Sequence, residues 1–108
     1  MPPITARPIL MSSPERRIEL SQQAKEDFRD ILSYTLTTWG ESQLAKYRAS
    51  INDALHVILH NPSAGRRSVK PTLNVMAVEH HRIFYRTIDD TIYGVRILHE
   101  RMDTSRHL

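Results

Sequence analysis

The sequence predicts an α+β domain in the order strand, helix, helix, strand, strand, strand, with a small, mainly antiparallel sheet packed on a helical hairpin. Three observations lead there. Apolar residues recur at helical spacing through two successive stretches separated by a single glycine. Three short runs of strand type follow, the last two divided by Asp89 and Asp90. A chain of 108 residues, 40% hydrophobic and 25% charged, supports one such core and has no room for a second, cofactor-binding domain.

Each element has its own signal. Residues 1–15, with prolines at 2, 3 and 8 and no periodicity, read as a flexible arm; Met11 is an alternative start, and the domain proper spans residues 16–108. Arg17 to Leu20 alternate polar and apolar, enough for one short strand. Ser21 is placed to cap a helix whose apolar face is Ala24, Phe28, Ile31, Leu32, Leu36 and Trp39. Gly40 ends it, and Leu44, Tyr47, Ile51, Leu55, Ile58 and Leu59 mark a second helix that stops at Asn61 and Pro62. Asn61 to Asn74 reads as a loop. Val75–Val78, Arg82–Ile88 and Thr91–Leu98 are the strands, with His80 and His81 in or beside the first turn and Asp89–Asp90 in the second. Strict alternation puts Arg82, Phe84, Arg86 and Ile88 on one face of the third strand, and sets Val95 and Ile97 against Gly94, Arg96 and Leu98 on the fourth. One sheet face meets the helices; the other is left open, with arginines available on it.

Composition narrows the chemistry. The absence of cysteine removes disulfides, thiol catalysis and thiolate metal sites together, and suits a reducing cytoplasm. No segment has the apolar length of a membrane span or a signal peptide. The net charge of +3 is localised: residues 61–88 hold Arg66, Arg67, Lys70, Arg82 and Arg86 against Glu79 alone, a local +4, while the remainder is close to neutral. Such a block tracks phosphates, meets an acidic partner, or is a solvated face. His56 and His60 stand four apart on the second helix, the spacing of paired metal ligands, but Val57 stands where a metalloprotease places its glutamate, and the pair reads as a polar flank with no metal. Trp39 and Tyr47 fall on apolar helical positions and read as core rather than as a platform for stacking bases.

Four motifs then occur in order: Trp39–Gly40 at the helical break, Asn61, Pro62, Gly65 and Arg66 in the loop, His81, Ile83, Phe84, Tyr85 and Arg86 on a strand, and Val95, Arg96, Ile97, Leu98, His99, Arg101, Met102 and Asp103 at the end. Together they resemble the ParE branch of the RelE/ParE toxins, over residues 17–108. The resemblance implies a bacterial, cytoplasmic type II toxin of the kind that stabilises plasmids, needing no cofactor and neutralised by a cognate antitoxin. It implies DNA gyrase as the target; the alternative is a ribosome-dependent mRNA endoribonuclease of RelE type.

An endoribonuclease would need a phosphate clamp and a proton carrier, for which Arg86, Arg96 and His99 are the candidates, with His80 or His81 assisting. The rival assignment gives Arg86 and Arg96 to carboxylate partners and His99 to a structural hydrogen bond, and it is favoured because the sheet strands contain no lysine. A gyrase poison would use its C-terminal segment, with Arg96, His99, Arg101 and Asp103 as the effector surface. Antitoxin binding is expected on the helical hairpin and the open sheet edge, with Leu36 and Tyr47 as contacts. A homodimer using the same surface, and a heterotetramer with the antitoxin, are the assemblies expected.

Overall fold

Ser21 and Gly40 fix the helical half of the fold. In the computed structural model, which describes residues 11–12, 16–68, 70 and 72–108, helix α1 (Gln22–Trp39) opens where the Ser21 hydroxyl accepts from the Ala24 N–H at 2.9 Å. The same hydroxyl donates to the Val95 carbonyl at 2.7 Å, so the cap also ties the helix to the sheet. Gly40 closes α1 at φ +92°, a conformation that L side chains rarely adopt, and α2 (Glu41–His60) begins at the next residue.

The described residues form a six-stranded sheet. Its strands are β1 (Met11–Ser12), β2 (Arg17–Leu20), β3 (Arg66–Arg67), β4 (Asn74–Val78), β5 (His81–Ile88) and β6 (Thr91–His99), in the order β1-β2-β6-β5-β4-β3. β4, β5 and β6 pair antiparallel as expected, while β2 lies parallel to β6, with Arg17 opposite Thr91 and Leu20 opposite Gly94. Asp89 turns the β5–β6 hairpin at φ +55°, which a short polar side chain tolerates.

The stretch expected as a loop from Asn61 to Asn74 holds two small elements: a 3-10 turn, Pro62–Ala64, and β3, which pairs Arg66 with Val75. Tyr85 organises them. Its hydroxyl donates to the Pro62 carbonyl at 2.7 Å and accepts from the Gly65 N–H at 3.0 Å. The expected N-terminal arm lies outside the described residues, apart from Met11–Ser12, which pair with Arg17–Ile18 as β1.

The main core lies between sheet and hairpin, where Ile18, Tyr47, Ile51, Leu55, Ile58, Leu59, Ile83, Tyr85, Ile92 and Ile97 are buried. On α1 the buried line is Ala24, Ile31 and Thr35, and Thr35 donates its hydroxyl to the Ile31 carbonyl at 2.7 Å. Burying it therefore leaves no unpaired donor. The line ends there, so Trp39, expected in the core, stands 69% exposed in the last turn of the helix.

Strict alternation also fails in β6. The register passes from Phe84 opposite Arg96 to Tyr85 opposite Gly94, leaving Val95 as the extra residue of a bulge. Ile92 and, after the bulge, Ile97 face the helices, whereas Val95 and Leu98 share the other face instead of opposing one another. That face is not bare. Leu73, Phe84 and Leu98 are buried there, with Val75, Val95 and Leu108 packed against them. The terminal helix α3 (Thr104–His107) thus delivers Leu108 to a small second core.

Candidate functional site

Arg96 is the best-held charged group in the described structure. β2 stops at Leu20, so on that edge the second half of β6 runs on without a strand beside it, and α1 supplies the missing partner. Asp27 Oδ2 accepts from the Ile97 N–H at 2.9 Å and from Arg96 Nε at 2.8 Å, and Asp27 Oδ1 accepts from Arg96 Nη2 at 2.9 Å. The fork is largely shielded, with the Arg96 and Asp27 side chains 16% and 14% exposed. Hydrogen bonding to the carboxylate raises the guanidinium pKa above its ordinary value. Arg96 Nη1 also donates to the His107 carbonyl at 3.3 Å, which holds the terminal helix.

A second cluster stands where β5 begins and β6 ends. His81 and His99 face each other across the strands, ring centroids 5.1 Å apart and edge-on, and the Tyr47 hydroxyl of α2 is hydrogen-bonded to His81 Nδ1. Burial first, then the nearby His99 and His80, push the His81 pKa down to about 4, so the ring is neutral at pH 7. Burial raises the Tyr47 pKa. His80 donates to Glu100 at 3.0 Å, and the hydrogen bond from His80 lowers the Glu100 pKa. His99 accepts at Nδ1 from the Arg101 N–H at 3.0 Å.

The three groups offered for RNA cleavage are therefore not gathered. Arg96 and Arg86 lie on the sheet face away from the helices, Arg96 in its fork and Arg86 exposed opposite Tyr93, while His99 lies on the helical face beside His81. Of the tail residues, Arg101 and Asp103 are exposed, as are Met102 and Arg106. Asp103 caps α3, its carboxylate accepting from the Ser105 N–H at 3.1 Å.

On the hairpin, Leu36 is 43% exposed, but Tyr47 is only 7% exposed and engaged with His81, so it is not a surface contact. Trp39 replaces it. Leu32, Leu36 and Trp39 follow one line along α1 by their i, i+4, i+7 spacing, and this ridge was readable once the helix end was known. His56 and His60 remain on the polar flank, where His60 Nδ1 donates to the His56 carbonyl at 2.9 Å. Among the described residues, no group of three histidine, cysteine or acidic side chains is arranged to hold a metal ion.

Comparison with known proteins decides the family. The profile described as "ParE toxin of type II toxin-antitoxin system, parDE" matches residues 18–104. The chain belongs to the ParE toxin family. It is 34% identical over 95 residues to Toxin ParE1 of Mycobacterium tuberculosis, covering 85% of this chain and 97% of that one. It is 30% identical over 91 residues to Toxin ParE1 of Caulobacter vibrioides, covering 82% and 94%. A solved structure titled "Chromosomal ParDE TA system from P. aeruginosa" superposes with a TM-score of 0.70 at 20% identity, covering 81% of this chain and 98% of that chain. The chain is thus the toxin component of a type II toxin-antitoxin system, with the ParE fold, and an antitoxin is its implied partner. No helix among its described residues is long and apolar enough to cross a membrane.

Proposed function

We propose that this ParE toxin inhibits DNA gyrase in the bacterial cytoplasm, that its effector surface is the exposed part of the C-terminal segment, and that the antitoxin covers the α1 ridge. The observation that carries the reading is the division of labour within that segment. Arg96 and Leu108 anchor it, by the Asp27 fork and the second core, and Arg101, Met102, Asp103 and Arg106 are left exposed to meet a target. The separation of Arg86 and Arg96 from His99 on opposite sheet faces supports a binding toxin over a nuclease. On the hairpin, Leu36 and Trp39 supply the apolar contact that a partner helix needs.

The test is a gyrase supercoiling assay with purified toxin in excess of enzyme. Inhibition with trapped cleaved DNA, lost in Arg101→Glu combined with Met102→Glu, is the expected result. Full supercoiling activity at excess toxin refutes the target. Codon-specific mRNA cuts in primer extension that vanish in Arg86→Ala would replace the reading with the nuclease. Leu36→Glu combined with Trp39→Glu should abolish copurification with the antitoxin, and the mass of the wild-type complex decides whether it is a heterotetramer.

A further inference from the structure

The gyrase and antitoxin readings leave the basic block of residues 61–88 without a role. The register of the sheet joins that block to an arginine far outside it. Arg66 stands opposite Val75, and Val75 opposite Phe84. Arg82 and Arg86 lie two residues to either side of Phe84 on β5. Arg17 of β2 stands opposite Thr91, which itself faces Ile88. Val75 and Phe84 belong to the core on the sheet face away from the helices, and Ile18 and Leu20 are buried on the other face. By alternation, Arg17, Arg66, Arg82 and Arg86 therefore share the face away from the helices.

At about 3.3 Å per residue and 4.8 Å per strand, Arg66, Arg86 and Arg17 fall on one diagonal at steps of about 12 Å, and Arg82 lies about 13 Å from Arg86 along β5. All four are exposed. Arg66, Arg82 and Arg86 have no hydrogen bond or ion pair with any described residue. Arg17 is tied to β6, its Nε donating to Thr91 Oγ1 at 3.1 Å. Among the described strand residues the one acid on this face is Glu19, and it is 8% exposed. Other carboxylates stand past the strand ends: Asp89 and Asp90 in the hairpin turn, and Glu100, which feels the charge of Arg82 but accepts from His80.

We propose that this face binds duplex DNA by its phosphate backbone, without reading its sequence, through Arg66, Arg86 and Arg17 along the diagonal and Arg82 beside it. The apolar centre of the face, Leu73, Phe84 and Leu98, is already buried with Leu108 packed against it, so an acidic protein finds no pocket there for an anchoring side chain. An unpaired strand finds no platform for its bases, because Phe84 is buried and Tyr93 is partly buried and engaged. Thr91 is bonded to Arg17 and Asp90, which leaves it unavailable to a ribose 2′-hydroxyl. What remains is a regular row of cations, the complement of a duplex that carries one negative charge per about 1.7 Å of its axis. The line from Arg66 to Arg17, about 23 Å, spans about two-thirds of one helical turn. The inference goes beyond the gyrase reading, because the duplex is bound with no enzyme present.

The test is the fluorescence anisotropy of a labelled DNA duplex of about two helical turns, titrated with the purified toxin at about 50 to 200 mM salt, beside one of its single strands and the RNA duplex of the same sequence. Four phosphate contacts predict a slope of log K against log salt of about −3.6. Arg66→Gln, Arg82→Gln and Arg86→Gln should each flatten that slope by about 0.9 and weaken binding about tenfold at the lowest salt. Arg48→Gln removes an exposed charge on α2, away from this face, and should change neither. Circular dichroism checks each variant, and should one fail to fold, the other two decide. A slope flatter than about −2, equal or tighter binding of the single strand or the RNA duplex, or an equal loss in Arg48→Gln each overturns the proposal. Supercoiling is assayed separately. DNA binding without gyrase inhibition leaves this inference standing and removes the gyrase reading, and the reverse result removes this inference alone.

Discussion

Removing the Asp27 carboxylate tests the assignment of Arg96 as a structural clamp. Asp27→Ala deletes two charge-assisted hydrogen bonds to Arg96, at 2.8 and 2.9 Å, and leaves the Ile97 N–H without its acceptor at 2.9 Å. A charged hydrogen bond contributes about 1.5–3 kcal/mol, and breaking a fully buried pair costs about 3–5 kcal/mol. With the two side chains 14% and 16% exposed, water recovers part of this, and the expected loss is about 3 kcal/mol. Arg96→Ala should cost less, about 2 kcal/mol, because Asp27 keeps the Ile97 amide. For a domain of this size each kcal/mol moves the midpoint by about 4–8 °C, so Asp27→Ala should lower Tm by at least about 12 °C. Urea unfolding of both single variants and the double variant, followed by circular dichroism, gives the coupling. A coupling energy under about 0.5 kcal/mol would refute the clamp. Toxicity adds a second criterion. If Arg96 is structural, Asp27→Ala should reduce toxicity as strongly as Arg96→Ala does, whereas a phosphate-clamping Arg96 would be freed, not disabled, by losing Asp27.

Three further outcomes follow from single contacts. His81 is neutral in the folded protein down to a pKa of about 4 but protonates near the ordinary histidine value of 6.5 when unfolded, so stability should be complete above pH 6.5 and fall as pH drops from 6.5 to about 4. The half-exposed ring limits that loss to about 1–2 kcal/mol, and urea midpoints across this range should flatten in His81→Gln. Ser21→Ala removes both the α1 cap and the bond to Val95, and should cost about 1–2 kcal/mol in the same assay. Gly65→Ala places a methyl against the Tyr85 hydroxyl and 2.8 Å from the Val75 carbonyl, which is backbone and cannot move aside. A loss of about 1–3 kcal/mol is expected, and an unchanged melting curve would show that the Pro62–Ala64 turn is not held by Tyr85.

The fold was legible where one local signal decides an element. Ser21, Gly40 and Pro62 punctuate the two helices, alternating polar and apolar residues mark β2, and short runs of strand type mark β4 and β5; these depend on backbone preferences and period, which act over a few residues. The two-residue strands were not legible, because Met11–Ser12 and Arg66–Arg67 exist only through their partners, Arg17–Ile18 and Asn74–Val75. Trp39 misleads for a related reason. Periodicity shows which way a side chain points but not where the opposing surface ends, and the buried line on α1 stops at Thr35, one turn short of it.

The site was less legible than the fold, and β6 shows why. The parallel pairing of β2 with β6 ends at Leu20, which would leave the Val95 carbonyl and the Ile97 amide on that edge of β6 without a strand to pair with. Buried main-chain groups must be paired, so Ser21 donates to the Val95 carbonyl and Asp27 accepts from the Ile97 amide. A carboxylate placed there needs a counter-charge, and the nearest side chain on the strand is Arg96. Its position in a conspicuous Val-Arg-Ile-Leu-His run invites a catalytic role, yet its contacts are set by where a different strand, some seventy residues earlier, comes to an end. No spacing rule along the chain encodes that meeting. The bulge at Val95 brings Val95 onto the face of Arg96 and Leu98, while His99, three residues beyond Arg96, falls by alternation on the helical face, so two residues close in sequence do not share one site.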